Sequence, residues 1–309
     1  MKPNVVVTKA GPQRTNGMQR LAKSAVMLNW MYLPALLLFA VFIYYPFFRG
    51  LLISFTDWDG YSQFFQYIGI DNYKRMLSDS RVHTVIINTL IYGLGSTLFQ
   101  NIIGLLYALL LNKHGKGKTF VRVIVYIPAI VSPIIMGYIW YFLLQYNGGA
   151  INDIIKAFTG SPVNLLADPK VNVWIIMVVN TYQFLGVAMM IFLSGLQGIS
   201  KDYYEAAEMD GAKPLSRFFN ITFPLLAPAL TTSIILNLIG GLKLFDVIAA
   251  LTNGGPGYAS ASLSTMMYQL YFARQDAGLA ASLGNLMFLL ITVISLTSLY
   301  FLRRKELSQ

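Results

Sequence analysis

Glu205–Pro228 reads EAAEMDGAKPLSRFFNITFPLLAP, a charged and polar stretch set between two long apolar runs. Ser200 is placed to cap a short helix, with Asp202 and Glu205 near the positive end of its dipole. Tyr203 to Asp210 then make roughly two turns, and Gly211 supplies a left-handed stop. Pro214 suits the opening of a second short helix, Leu215 to Thr222. That helix is expected to end before Pro224, because a residue preceding proline avoids helical angles. The two pieces predict a helix–glycine–helix elbow on a membrane face. Ala206 and Ala207 leave one side of it nearly smooth, so another protein can approach closely.

Outward from the elbow the chain is apolar. Of its 309 residues 56% are hydrophobic and 12% charged, which excludes a soluble globular domain. Spans are expected at about 24–48, 84–111, 123–144, 171–196, 228–251 and 277–302, each near or above the length that crosses a bilayer. The fold class is therefore all-α: a polytopic membrane helical bundle with six transmembrane helices. A tail at 1–23, the elbow as a loop at 198–227 and a second tail at 303–309 complete the division. The first apolar run is longer than a signal-peptide core and no small-residue cleavage site follows it, so it reads as an uncleaved span. Pro34 and Pro46 are expected to bend it, and Pro128 and Pro133 to make the third span irregular.

The net charge of +10 would suit a nucleic acid, but the bases flank apolar spans and report orientation instead. No nucleic-acid partner is expected. About fifteen of the 23 Lys and Arg residues fall in the N-terminal tail, the turn at 113–122, the elbow and the C-terminus. The positive-inside rule puts all four in the cytoplasm. There is no cysteine, and His83 and His114 are far apart, so no disulfide or metal site is expected. No Ser/His/Asp order or paired carboxylates mark a catalytic centre, and the chain is not read as an enzyme. Gly117-Lys118-Thr119 ends like a phosphate-binding loop, but Asn112 stands where the earlier glycine is required and a membrane helix precedes it. The chain itself is not expected to bind ATP.

Polar groups inside spans usually face a shared cavity. The fourth span offers Asn180, Tyr182 and Gln183, with Gly186 giving room for backbone approach. The fifth offers Asn237, Gly240, Gly241, Lys243 and Asp246, and the sixth Asn285. Amides, hydroxyls and aromatic faces suit a neutral polyhydroxylated ligand, since they give donors, acceptors and a stacking surface without fixed charge. Ser, Asn and Gly also let helices pack closely, and for any one residue that reading stands beside the first. Lys243 and Asp246 lie three apart, on one face of a continuous helix, where they can neutralise each other. A lone membrane carboxylate can also carry protons in an ion-coupled secondary transporter, so the pair is the best support for that alternative. The turn Asn253-Gly254-Gly255-Pro256, after the fifth span, suggests a docking surface for an external partner.

Glu205-Ala206-Ala207, Asp210-Gly211-Ala212 and Ile221-Thr222-Phe223-Pro224 stand at fixed spacing, with Phe223 where leucine is usual. This pattern resembles the "EAA" loop in membrane subunits of binding-protein-dependent ABC importers. Lys243-Leu244-Phe245-Asp246 followed by Thr252-Asn253-Gly254-Gly255-Pro256 resembles two segments of sugar permeases of that class. Phe55-Thr56-Asp57 with Gly69-Ile70-Asp71-Asn72-Tyr73 is similar to the stretch that follows their first span. From about residue 25 to 305 the chain resembles the permease subunit of a carbohydrate ABC importer of the maltose-permease type, without its large extra external domain. The resemblance implies the type I importer fold and alternating access in a bacterial plasma membrane, both termini cytoplasmic. It implies four kinds of contact: a second permease subunit, two cytoplasmic ATP-binding subunits, an extracytoplasmic solute-binding protein and membrane lipid. ATP and Mg would sit in the ATPase, leaving no cofactor on this chain. Glu205, Ala206, Ala207, Asp210, Gly211, Ala212, Ile221 and Pro224 would couple to that ATPase, and the Lys243–Asp246 segment would be structural or gating. Some relatives in this class carry a glycerol phosphodiester, which stays open as a second cargo.

Overall fold

The computed structural model describes residues 32–307 apart from 113, 114 and 116. The expected tail 1–23, the first part of the expected span 24–48, Lys113, His114, Lys116 and residues 308–309 lie outside the described residues, as do the side chains of Lys305, Glu306 and Leu307. The chain divides into two units, 1–52 and 53–309. The first is built on α1 (Tyr32–Ile53), which contains a wide π turn at Ala40–Tyr44 just ahead of Pro46. The extra residue in such a turn relieves the clash between the proline ring and the carbonyl four residues back.

The second unit is helical throughout: α2 (Asp71–Ser78), α3 (Ser80–Leu111), α4 (Lys118–Ile130), α5 (Pro133–Leu144), α6 (Ala150–Thr159) and α7 (Asn172–Gln197) come first. They are followed by α8 (Lys201–Met209), α9 (Pro214–Leu225), α10 (Ala227–Leu242), α11 (Asp246–Leu251), α12 (Leu263–Phe272) and α13 (Ala277–Leu307). Among the described residues there is no strand, only one isolated bridge between Thr56 and Tyr67. Among the described residues four helices, α1, α3, α7 and α13, are each long and apolar enough to cross a membrane; counting each of the bent pairs α4–α5 and α9–α10 as one span raises the number to six.

α7 is the axis of this unit. It packs along α3, where a side chain at Gly104 would put its Cβ 2.7 Å from the Ala188 methyl. It packs against α4 through Gly186, where a Cβ would collide with the Val125 carbonyl oxygen. Such small residues let backbones approach in a medium that offers no hydrophobic drive between helices. Buried Ala108, Met189, Phe192, Leu193 and Leu196 fill the end of the seam nearest the elbow, and Val173, Ile176, Leu244, Val247 and Ile248 fill the other.

The irregularity expected of the third span is present, and other local expectations change. The expected span 123–144 is broken by 98° between α4 and α5. Val131 and Ser132 are extended there, as the residue before Pro133 should be. The expected span 228–251 is likewise two helices, α10 and α11, separated at Lys243–Phe245. In the elbow, Phe223 is helical although it precedes Pro224, because a π turn at Phe218–Thr222 makes room for the ring as it does before Pro46. Residues 263–272, which lie between the expected fifth and sixth spans, form α12. Ser262 caps it by accepting from the Thr265 N–H at 3.2 Å, and its Leu263, Met266 and Leu270 are buried against α3 and α13.

Candidate functional site

Where α10 stops, a cleft of about 450 Å³ opens between α3, α7, α10 and α11. α7 brings Asn180 to it, α10 brings Asn237, Gly240 and Gly241, and the break between α10 and α11 brings Lys243 and Asp246. The two glycines do different things. A Cβ on Gly241 would lie 2.8 Å from the Tyr92 carbonyl oxygen, so that residue serves packing, whereas one on Gly240 would meet nothing within 4 Å. Gly240 therefore widens the cleft.

The break is held open by α12. Ser262 Oγ donates to the Leu244 carbonyl at 2.6 Å, and Ser264 Oγ to the Lys243 carbonyl at 3.3 Å. Carbonyls freed at a helix end inside a membrane need such partners. Lys243 and Asp246 consequently do not share a helical face, and no ion pair joins them; both side chains are exposed to the cleft. The expected mutual neutralisation on one helix is corrected by this break.

Behind them runs a ladder of amides. Asn180 Nδ2 donates to Ser96 Oγ at 3.0 Å, and Gln100 Nε2 donates to the Asn180 carbonyl at 3.0 Å. Gln100 Oε1 is buried without a partner at the wall of the same cleft. Sequence reading missed Gln100 and Ser96, because α3 was counted only as an apolar span. The signal was present: Gln100-Asn101 is an amide pair in the middle of that run. Three expected pathway residues lie elsewhere. Tyr182 stacks edge-on with Trp140 of α5 at 5.6 Å. Gln183 Nε2 donates to the Val131 carbonyl at 3.2 Å, bracing the α4–α5 break. Asn285 Nδ2 donates to the Tyr73 hydroxyl at 3.0 Å, tying α13 to α2.

The elbow lies at the C-terminal end of α7. Ser200 caps α8, its hydroxyl accepting from the Asp202 N–H at 3.3 Å. At the other end Gly211 N–H donates to the Glu208 carbonyl at 3.0 Å and Ala212 N–H to the Ala207 carbonyl at 2.9 Å. This paired closure requires a left-handed residue, and Gly211 has φ +72°. α8 and α9 are then held by Tyr204 Oη and Thr222 Oγ1, 3.0 Å apart, and by an ion pair of Arg217 with Glu208 at 3.3 Å. Among the described residues Glu205 and Asp210 make no ion pair, and both are exposed with Ala206. Nothing in α8 is buried, and Met209 and Leu215 present apolar tips, 89% and 71% exposed. Ile221 and Pro224 line a hollow of about 530 Å³ with Tyr203 at the elbow's root.

The turn at Asn253–Gly257 lies at the opposite end of α7. Asn172, the first residue of that helix, donates from Nδ2 to the Gly255 carbonyl at 3.2 Å. With 26 residues in α7, turn and elbow are about 39 Å apart. Tyr92 Oη donates to the Ser260 carbonyl and Asn88 Nδ2 to the Ala259 carbonyl, both at 2.8 Å, and Gln269 Nε2 donates to the Asn253 carbonyl at 2.6 Å. The turn is thus fastened to α3, α7 and α12. Beside it Asp79 accepts from Arg81, which holds its carboxyl below the usual carboxylate range.

Residues 100–306 match the family described as "Binding-protein-dependent transport system inner membrane component". The trehalose/maltose transport system permease protein MalF of Thermococcus litoralis is 35% identical over 270 residues, 87% of this chain and 90% of that one. The multiple sugar-binding transport system permease protein MsmF of Streptococcus mutans is 31% identical over 279 residues, 90% and 96% of the two chains. A crystal structure of a bacterial ABC transporter involved in the import of the acidic polysaccharide alginate superimposes with a TM-score of 0.80 at 25% identity, covering 93% of this chain and 98% of that one.

Proposed function

The chain belongs to the family of binding-protein-dependent transport system inner membrane components, and from that premise we propose that it is the permease subunit of an ATP-driven carbohydrate uptake system. The observation that carries the reading is the arrangement along α7: an exposed elbow at one end, a glycine turn anchored to Asn172 at the other, and an amide-lined cleft beside Asn180 between them. A neutral polyol needs donors and acceptors fixed in a gap, and Asn180, Asn237 and Gln100 supply them. A second permease subunit completes the pathway. Of two ATP-binding subunits, one seats against Glu205–Ala212, Ile221 and Pro224, and the ATP and Mg belong to that pair. An extracytoplasmic solute-binding protein delivers the cargo at Asn253–Pro256. Both termini and the elbow face the cytoplasm, in agreement with the distribution of Lys and Arg.

Coupling follows from differential binding. A closed ATPase dimer must hold the elbow more tightly in one orientation of the bundle than in the other, since equal affinity would move nothing. The apolar tips Met209 and Leu215 and the small Ala206 and Ala207 offer it a surface. The test is reconstitution with the second permease subunit, the ATPase and the binding protein in liposomes, followed by uptake of labelled di- and oligosaccharides. Uptake should require ATP on the elbow's side and survive an ionophore. Gradient-driven uptake by the chain alone would overturn the reading in favour of a secondary carrier.

A further inference from the structure

The turn that docks the external partner also builds one wall of a recess of about 360 Å³, and its opposite wall is Arg274. Among the described residues this guanidinium has no carboxylate partner. Its contact is the face of Tyr258, 5.3 Å from the ring centroid, and Arg81 lies 5.8 Å from the same ring. Arg81 is already taken, because Asp79 accepts from it at 2.6, 2.9 and 3.0 Å. The field of Arg274 reaches that carboxylate, but the carboxylate's side-chain hydrogen bonds are made with Arg81, and Arg274 is left without one. Two further donors point to the same chemistry. Gly257 and Tyr258 are both left-handed, at φ +57° and +71°, and neither N–H donates to another group among the described residues. Consecutive amides freed by a turn form a concavity suited to an anion.

Resting on the docking role proposed for this turn, we infer that the recess receives a carboxylate side chain of the solute-binding protein. The planar guanidinium offers it a fork, Tyr258 holds that fork in place, and the two amides complete the donor set. The occupant is a residue delivered on a protein surface: Asn253, Gly257 and Arg274 line the recess and are exposed, and the recess is continuous with the turn proposed to dock the binding protein. A cargo carboxylate would instead be met in the cleft beside Lys243.

The assay is equilibrium binding of fluorescently labelled, cargo-loaded binding protein to the assembled transporter in lipid nanodiscs, at low and at high salt. Arg274→Gln should weaken binding about tenfold at low salt and flatten its salt dependence, with Arg274→Lys intermediate. Replacing acidic residues of the binding protein one at a time by their amides should reveal one whose loss has no further effect in Arg274→Gln. Thermal unfolding in the same nanodiscs separates these effects from misfolding. Equal affinity of wild type and Arg274→Gln at both salts overturns the inference alone. Unchanged docking with altered uptake of a charged cargo also overturns it, making Arg274 a cargo contact. Failure of the wild-type transporter to bind the protein at all would bring down the docking role itself.

Discussion

Replacing Gly211 with leucine tests whether the elbow transmits force through its backbone. Gly211 sits at φ +72°, and a Cβ there would meet no atom within 4 Å. The cost is therefore backbone strain alone, about 1–2 kcal/mol for an L-residue held left-handed. Little opposes that cost, because no residue of α8 is buried. The elbow is held by the Tyr204–Thr222 hydrogen bond, worth about 1 kcal/mol, and by the exposed Arg217–Glu208 pair, worth about 1 kcal/mol at most. The strain is thus as large as what holds α8 to α9, and should lower the population of the closed elbow by roughly 5- to 30-fold. The bundle should be unaffected, since the strain ends in solvent. In proteoliposomes Gly211→Leu is expected to hydrolyse ATP while losing most uptake, with an unchanged melting temperature. Gly211→Asn, which tolerates the left-handed region better, should recover much of the coupling. An unchanged ratio of sugar moved to ATP hydrolysed would refute the reasoning, as would a bundle that melts together with the elbow.

Two glycines in neighbouring spans should respond oppositely. Gly186→Leu drives a side chain into the Val125 carbonyl and should abolish accumulation of folded protein, seen by size-exclusion chromatography, whereas Gly240→Leu has open space and should fold but block uptake. Gln100→Leu removes a buried acceptor that has no partner together with the hydrogen bond from Nε2 to the Asn180 carbonyl, two effects of opposite sign and about 1 kcal/mol each, so thermal stability should change little while cargo affinity falls several-fold; a large loss of stability without a transport defect would show Gln100 to be structural. Asp79 is held below the usual carboxylate range by Arg81, so the stability it contributes is present above about pH 4 and is lost as pH falls through its depressed value. Docking of the binding protein should accordingly be flat from pH 8 to about 5 with respect to this group, checked by a titration compared with Asp79→Asn.

Much of the elbow was legible because capping chemistry is local. Ser200, Gly211 and Pro214 act on backbone groups within a few residues of themselves, so their spacing predicts the turn without knowledge of any neighbour. Pro224 was misread for a related reason: the proline rule is local, but whether a helix widens to admit the ring depends on the turn before it. The pathway was harder. A polar residue in a span can face a cavity, a neighbouring helix or a break, and Asn180, Gln183 and Asn285 turned out to do one each.

By itself, then, the sequence determined that this chain is a helical membrane bundle, and where its elbow and its glycine turn fall. Apolar length and cap residues carry that information along the chain, because the bilayer and the backbone impose the same demands on every such segment. Only the tertiary structure decided that the fifth span stops at Leu242, since the carbonyls released there are satisfied by Ser262 and Ser264 of a helix that follows later in the chain. It alone set Gln100 beside Asn180 and put Arg274 in one recess with Gly257 and Tyr258, because both arrangements depend on which segments meet and not only on what precedes or follows a residue.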